Sequence, residues 1–289
     1  MMNAKRTLAV AALAAVVLVT GCETAKGLKG VQIGNVDVGQ LAENLGGLRE
    51  VSQPEEIQIG RGVTETLLGA APLAGDAELQ RYVNAVGTWV AQQSERPDLP
   101  WNFGVNNSPV VNAVATPGGN VIVTTGMLRL LRSESELAGV LGHEVAHAVR
   151  KHHLNAIRKT AFAGLVGQAA QAAAGSRNQE LVSSLIGPTK ELYAKGLDRS
   201  DEFEADRMGV VLAARAGYDP WGLPAALQQL ATLKADDNAV ALLFKTHPAP
   251  SARLDKLAVA MGTSFDSLGG QSNAERYMRA TQWLREPAK

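Results

Sequence analysis

Alternation and helical spacing of apolar positions predict a small sheet followed by a mostly helical body. Residues 55–68 and 77–93 have helical spacing, and residues 101–105, 110–115 and 120–125 alternate like strands. Pro117, Gly118 and Gly119 predict a turn between the last two strands. Helical spacing dominates from about Ser133 onward, so the pattern predicts an α+β fold that is mostly helical.

The segment that begins at Ser133 has the features of a buried helix. Ser133 and Glu136 form a capping-box signal at its start. The apolar residues that follow, with no proline among them, are Leu137, Ala138, Val140, Leu141, Val145, Ala146, Ala148 and Val149. We therefore expect this helix to lie in the core.

Residues 143–147 of this segment read HEVAH, which places two histidines and a carboxylate on a buried helix. His143 and His147 are four positions apart and share one helix face, while Glu144 lies about 100° further round. Burying these groups among aliphatic side chains is costly unless partners satisfy them. One solution is a zinc ion held by both imidazoles, with Glu144 acting on a water molecule. The other is a pair of core histidines bonded to backbone carbonyls.

A third ligand for such an ion comes from a small set of residues. The candidates are His247, the adjacent pair His152 and His153, and the carboxylates of the run RSDEFEAD at 199–206. Glu202 and Asp206 are four apart and share a helix face, whereas Glu204 points away from both. We expect Glu202 to bind the metal and Asp206 to orient a ligand histidine from behind. The alternative is a solvated acidic helix face.

HEVAH, followed about fifty residues later by RSDEFEAD, resembles the HtpX-like and CAAX-prenyl-protease family of gluzincins. Two further segments are similar to that family, NAVATPGGNVIVTTGML at 112–128 and THPAPSAR at 246–253, and the resemblance covers residues 55–260. Asp198 departs from the family pattern, which commonly has Ser there, at a position away from the matched ligands.

The resemblance implies a gluzincin-type metallopeptidase domain with a small β-sheet beside the active-site helix. It implies one Zn²⁺ ion per chain, held by His143, His147 and Glu202. Glu144 is then the general base, and Asp206 supports a ligand from behind. The expected reaction is metal-assisted hydrolysis of peptide bonds.

His247 has three interpretations. It precedes Pro248 and is expected to be extended, just before a helix that begins near Pro250. In the resemblance, His247 and Arg253 face the zinc ion and donate hydrogen bonds to the oxyanion of the transition state. Alternatively, His247 is a fourth ligand that keeps the enzyme latent, or a surface histidine in a proline-rich loop. His152 and His153 are interpreted as structural residues whose positive charge suits a helix C-terminus.

Two other stretches bear on substrate binding. Residues Asn112, Ala113 and Val114 lie in a predicted strand whose edge can hold an extended substrate through backbone hydrogen bonds. Residues 160–175 are almost entirely small or apolar, with Gln, and are predicted to be either a mobile lid helix or a closely packed helix.

The start of the chain predicts a lipid-anchored protein. Residues 1–6 are positively charged, residues 8–19 are apolar and too few to span a bilayer, and the sequence up to Cys22 reads as a lipobox. We expect a lipoprotein signal peptide at 1–21 and a lipidated Cys22, the only cysteine. The alternative is an ordinary signal peptide with an incidental cysteine. Glu23 is not the Asp that retains many lipoproteins at the inner membrane, which favours the periplasmic face of the outer membrane.

Composition and length predict how the rest of the chain is divided. Residues 22–50 are predicted to be a flexible tether, 51–262 the peptidase domain and 263–289 a C-terminal extension, which together suggest a minimal peptidase form. Removing Lys5 and Arg6 with residues 1–21 leaves 26 of the 28 basic residues against 28 acidic ones, so nothing in the charge suggests nucleic-acid binding.

The resemblance also implies a biological role in the bacterial cell envelope. The expected substrates are unfolded, misassembled or stalled envelope and outer-membrane proteins, degraded as quality control. The alternative is a zinc-stabilised chaperone or scaffold lipoprotein that rarely cleaves. Glu144 speaks against a pure binder, because zinc affinity alone does not need that carboxylate.

Overall fold

A computed structural model describes residues 51–159, 196–234 and 237–285, and near the N-terminus only the strand pairs 32–33 and 36–37. The predicted signal peptide, Cys22 and the predicted lid at 160–175 lie outside the described residues. The chain divides into two units, residues 1–51 with 157–188 and residues 52–156 with 189–289. In the first unit, β1 (Gln32–Ile33) pairs antiparallel with β2 (Val36–Asp37). Over the described part of the chain, we find no helix with the length and apolar character needed to cross a membrane.

The second unit is an α+β fold, mostly helical, as predicted. Its elements in chain order are α1 (Gln53–Ala70), α2 (Ala77–Ala91), β3 (Asn102–Asn106), β4 (Ala113–Thr116), β5 (Asn120–Thr124), α3 (Thr125–Leu130), α4 (Glu134–Val149), α5 (Arg199–Arg215), α6 (Gly222–Ala231), α7 (Ala241–Thr246), α8 (Pro250–Met261) and α9 (Ala274–Ala280), followed by a 3₁₀ turn at Gln282–Arg285. The predicted helices at 55–68 and 77–93 are confirmed to within two residues at each end.

The three-stranded sheet has the order β3-β5-β4, so β4 is an edge strand. β3 runs parallel to β5, and β4 pairs antiparallel with it through a turn in which Gly118 and Gly119 have φ values of 80° and 101°. The prediction that the second strand starts at residue 110 is wrong. The backbone N–H of Asn112 donates to the side-chain hydroxyl of Thr124 instead of a strand partner, so regular pairing begins only at Ala113.

Helix α4 is the centre of the fold, and every one of its residues is buried. Ser133 is the N-cap, and its hydroxyl accepts from the backbone N–H of Glu136 at 3.2 Å. The Glu136 carboxylate accepts from the N–H of Arg132. The cap forms as predicted, except that the Glu136 carboxylate binds the N–H of Arg132 and not the N–H of the N-cap residue Ser133.

Glycines let α5 cross α4 at very short distance. A Cβ atom added to Gly142 would lie 2.8 Å from the carbonyl oxygen of Gly209, and one added to Gly209 would lie 2.8 Å from the backbone nitrogen of His143. The two backbones are therefore in direct contact. Because Asp206 and Glu202 lie about one and two turns before Gly209 on the same helix, the crossing brings them beside the histidines of α4.

The described part of the predicted C-terminal extension packs on the start of α4. Arg276 forms a two-point ion pair with the buried Glu134, the first residue of α4. The Tyr277 ring is fully buried, and its hydroxyl donates to the carbonyl of Leu128 at 2.6 Å. Residues 263–285 thus belong to the second unit.

Replacing Gly209 by Ala tests the helix crossing. The added carbon would overlap the backbone of His143, and overpacking of this kind costs about 1–3 kcal/mol in the free energy of unfolding. Urea unfolding of purified protein measures this loss.

The matched control is Gly62→Ala, on the exposed side of α1, where nothing lies within 4 Å of the added carbon. There the free energy of unfolding should rise by about 0.5–1 kcal/mol, because alanine has less freedom in the unfolded chain. Equal effects at the two positions would show that the crossing is not tight.

Candidate metal centre

Three side chains from α4 and α5 converge in the core. The Nε2 atoms of His143 and His147 are 3.0 Å apart. Glu202 places one carboxylate oxygen 3.6 Å from the Nε2 of His143 and the other 3.6 Å from the Nε2 of His147. All three residues are at most 3% exposed. The two imidazoles and the carboxylate predicted as metal ligands therefore face one another.

His247 joins this cluster from the loop between α7 and α8. Its backbone is extended, as predicted, with φ −123° and ψ 152°. Its Nε2 lies 3.7 Å from Glu202 Oε2, and the ligand atoms of His143, Glu202 and His247 all lie within 4.8 Å of one another. Only 14% of the side chain is exposed, so the interpretation as a surface histidine is wrong.

The donor set fits a divalent metal ion. Oε2 of Glu202 is buried and has no hydrogen-bond partner among the described residues. Burial alone would raise the pKa of Glu202, but His247 and His143 outweigh it and hold the pKa at about 2, so the carboxylate is charged. A buried charge without a hydrogen bond is costly, and a cation compensates it. Imidazole nitrogens and a carboxylate oxygen are ligands that Zn²⁺ takes in proteins.

His143 is held from behind by a buried ion pair. Its Nδ1 lies 3.0 Å from Asp206, and the Arg253 guanidinium donates two hydrogen bonds to the same carboxylate, at 2.6 and 3.0 Å. Burial disfavours the charge on Asp206, but Arg253 outweighs burial and keeps the pKa of Asp206 well below its usual range. Asp206 therefore accepts a hydrogen bond from the Nδ1–H of His143 and turns the Nε2 of that ring towards Glu202.

Arg253 lies beneath His143, with its Nη2 3.2 Å from the Nδ1 of that ring. Its contacts direct the guanidinium at Asp206 and His143. They support a role in fixing the ligand, and the oxyanion contact expected from the sequence stays a prediction.

Glu144 is bound to the edge strand. Its carboxylate accepts a hydrogen bond of 2.7 Å from the backbone N–H of Ala115 in β4. Burial raises the pKa of Glu144 to about 7. A carboxylate with a pKa near neutrality both accepts and releases protons at neutral pH, which suits a general base.

The histidine pair after α4 packs against the far side of His147. Nδ1 of His152 lies 2.9 Å from Nδ1 of His147, and the rings of His147 and His153 have centroids 5.3 Å apart. Burial lowers the pKa of His152, and it lowers the pKa of His153 to about 3. The expectation that these residues carry positive charge at a helix end is therefore wrong.

Sequence reasoning missed two contacts of the site. Ala115 lies in the strand predicted at 110–115, near the predicted substrate stretch, but its bond to the Glu144 carboxylate was not predicted. His152 lies five positions after His147, about 140° round a continuous helix, so helical spacing points it away. Lys151, with φ 58°, ends α4 and turns the chain back.

The family model described as peptidase family M48 matches residues 77–260, from the start of α2 almost to the end of α8. The chain belongs to peptidase family M48. All the clustered residues lie inside the M48 match, and M48 metallopeptidases depend on a metal ion, typically zinc.

Named M48 relatives occur in bacteria and mitochondria. The beta-barrel assembly-enhancing protease of Escherichia coli K12 is 29% identical over 69% of this chain and 42% of its own length. The mitochondrial metalloendopeptidase OMA1 of Arabidopsis thaliana is 33% identical over 59% of this chain and 33% of its own. OMA1 of Schizosaccharomyces pombe is 30% identical over 61% and 51%. The chain spans between a third and a half of the length of these relatives.

Proposed function

We propose that this protein is a zinc-dependent endopeptidase of the bacterial cell envelope. The observation that carries the proposal is the buried Glu202 carboxylate, which has an oxygen without a hydrogen bond, lying between the Nε2 atoms of three histidines. His143, His147 and Glu202 would hold one Zn²⁺ ion per chain. The M48 match supports peptide bonds as the substrate.

The proposed mechanism uses the residues as they are arranged around this carboxylate. A bound zinc ion would lower the pKa of a water molecule and polarise the scissile carbonyl. Glu144 accepts the proton of the attacking water and passes it to the leaving amine nitrogen. Its hydrogen bond to Ala115 keeps the carboxylate next to the strand edge, where the peptide would lie.

The edge of β4 supplies a surface for an extended substrate. Thr124 N–H donates to the carbonyl of Asn112, and bonded pairs alternate along antiparallel strands. The backbones of Ala113 and Ala115 therefore point away from β5. Because Ala115 is bonded to Glu144 on this side, a peptide that pairs with Ala113 would continue past the general base.

The position of His247 is compatible with two roles beside the metal ion. Its Nε2 is close enough to Glu202 to share an ion with it, which would fill the position that water needs and leave the enzyme latent. If the ring instead turns towards the substrate, it donates to the oxyanion. Asp206 and Arg253 hold His143 in either case.

The start of the chain and the bacterial relatives support a location in the cell envelope. Cys22 would carry the lipid that anchors the protein, with the periplasmic face of the outer membrane favoured. The E. coli relative is named for enhancing β-barrel assembly. We therefore propose unfolded or misassembled envelope and outer-membrane proteins as substrates. Attachment to the membrane rests on the lipid and not on a charged patch.

Replacing Glu144 by Gln tests the proposed reaction. Zinc affinity should stay close to wild type, because Glu144 is not a ligand, while kcat for cleavage of unfolded casein falls by about 10²–10⁴-fold through loss of the base. Glu65→Gln, the same change on an exposed part of α1, is the control and should cleave normally.

Cleavage by Glu144→Gln at the wild-type rate would contradict the proposal. If neither protein cleaves casein or unfolded outer-membrane proteins while both bind zinc, a chaperone or scaffold role becomes the better hypothesis. Suppression of aggregation of an unfolded outer-membrane protein would then be the activity to measure.

Replacing His247 by Ala separates the two roles of that residue. If His247 blocks the metal, the variant should cleave faster than wild type and bind zinc more weakly. If it supports the oxyanion, kcat should fall by about 10²–10³-fold with zinc affinity unchanged. Cleavage and zinc affinity measured on one preparation distinguish these results, and no change in either would exclude both roles.

Replacing Ala113 by Pro tests the strand edge. Proline removes one outward N–H and leaves the N–H groups that pair with β5 in place. We expect kcat/KM to fall by up to about tenfold, since a main-chain hydrogen bond contributes about 1.4 kcal/mol at most, while zinc affinity stays unchanged. Val114→Pro is the control, because it removes an N–H on the β5 side and should lower thermal stability instead. Normal cleavage by Ala113→Pro would refute the proposal that the substrate pairs with the edge of β4.

A further inference from the structure

The two predicted histidine ligands are supported in different ways. His143 has a buried carboxylate behind it, that of Asp206. His147 has an imidazole behind it, since its Nδ1 lies 2.9 Å from Nδ1 of His152. Both members of this second pair are buried, at 1% and 6% exposure.

Hydrogen-bond chemistry fixes the direction of the bond between the two rings. At this distance one Nδ1 must carry the proton and the other must offer its lone pair. His147 directs Nε2 at the cluster, 3.0 Å from His143 and 3.6 Å from Glu202. If Nε2 of His147 binds a cation it has no proton, so the proton is on Nδ1 and His147 is the donor.

Glu204 lies on the opposite side of the His152 ring from His147. If Nδ1 of His152 accepts, its proton is on Nε2, and that nitrogen faces Glu204 Oε2 at 3.6 Å. The other oxygen of Glu204 is 3.0 Å from Arg150 Nε, which keeps the carboxylate at this position. A charged oxygen on this side favours the tautomer of His152 that has its proton on Nε2.

The backbone is shaped to deliver His152 to this position. Lys151 adopts φ 58°, which is uncommon for a residue with a side chain. Its own N–H still bonds to the carbonyl of Ala148, and its carbonyl accepts from Asn155, so one helix ends and another begins at this residue. The second helix starts with His152, and the turn places that ring under His147.

We propose that His152 is a positioning residue for the metal ligand His147, acting as the hydrogen-bond acceptor that fixes its tautomer and ring orientation. Glu204 in turn orients His152. The metal would then be held by one histidine backed by a buried carboxylate and one backed by an imidazole. Removing the acceptor should weaken zinc binding without removing a ligand.

Zinc affinity of the full chain, measured by chelator competition without any substrate, tests this role. His152→Leu replaces the ring by an apolar side chain of similar bulk and so removes the acceptor. We expect zinc affinity to fall by about 10–100-fold. His152→Asn places an amide oxygen near the former Nδ1, and most of the affinity should return. The matched control, His153→Leu, removes the neighbouring imidazole, which contacts the His147 ring side-on, and should change affinity by less than about threefold.

Tautomers of the wild-type protein give a second, independent readout. In ¹⁵N-histidine NMR spectra of the zinc-loaded chain, His147 should be protonated on Nδ1 and His152 on Nε2. The opposite tautomer of His152 would overturn the proposal, even if His152→Leu does not fold. So would equal affinity losses in His152→Leu and His153→Leu, since these indicate packing alone.

The role of His152 rests on the proposed zinc site. The zinc affinity of the wild-type chain therefore distinguishes a failure of the proposed function from a failure of the role of His152. If the wild-type chain does not bind zinc, the proposed function fails together with the role of His152. If it binds zinc and His152→Leu binds equally well, only the role of His152 fails.

Discussion

The arrangement of this protein depends on the close approach of two helix backbones. Gly142 and Gly209 leave no side chain between α4 and α5, so groups on one helix reach groups on the other inside the core. Larger residues at an ordinary interhelical distance of 8–10 Å would separate Glu202 from the histidines of α4. The sheet, α6 and the C-terminal elements then cover a helix whose every residue is buried.

This arrangement buries several charged or polar groups that the core must balance. Asp206 and Arg253 neutralise each other through two hydrogen bonds, and the pair in turn holds His143. Glu202 has no such partner within reach for one of its oxygens. The local imbalance is specific, because the Nε2 atoms of His143, His147 and His247 lie 3.6–3.7 Å from this carboxylate. A divalent cation would compensate this charge, in keeping with the metal dependence of M48 peptidases.

Much of this site could be predicted from the sequence because its parts repeat with helical period. His143 and His147, like Glu202 and Asp206, stand four apart, and each helix presents its pair on one face. The crossing of the two helices was not predictable, since the glycines show their role only when two distant segments meet. His152 escaped prediction for a local reason, as a single residue with positive φ breaks the period. The start of β4 escaped because the hydroxyl of Thr124 replaces a backbone partner.

The contacts at the start of α4 also bear on the order of events in folding. Glu134 meets Arg276, and Leu128 meets Tyr277, across 142 and 149 residues of sequence. Each contact closes a long loop, and the closure entropy must be overcome before the contact forms. The helix that carries HEVAH therefore acquires these stabilising partners only when residues near 280 have been synthesised. The catalytic arrangement is then a product of the complete domain, and a nascent chain that lacks these residues lacks the anchor of its central helix.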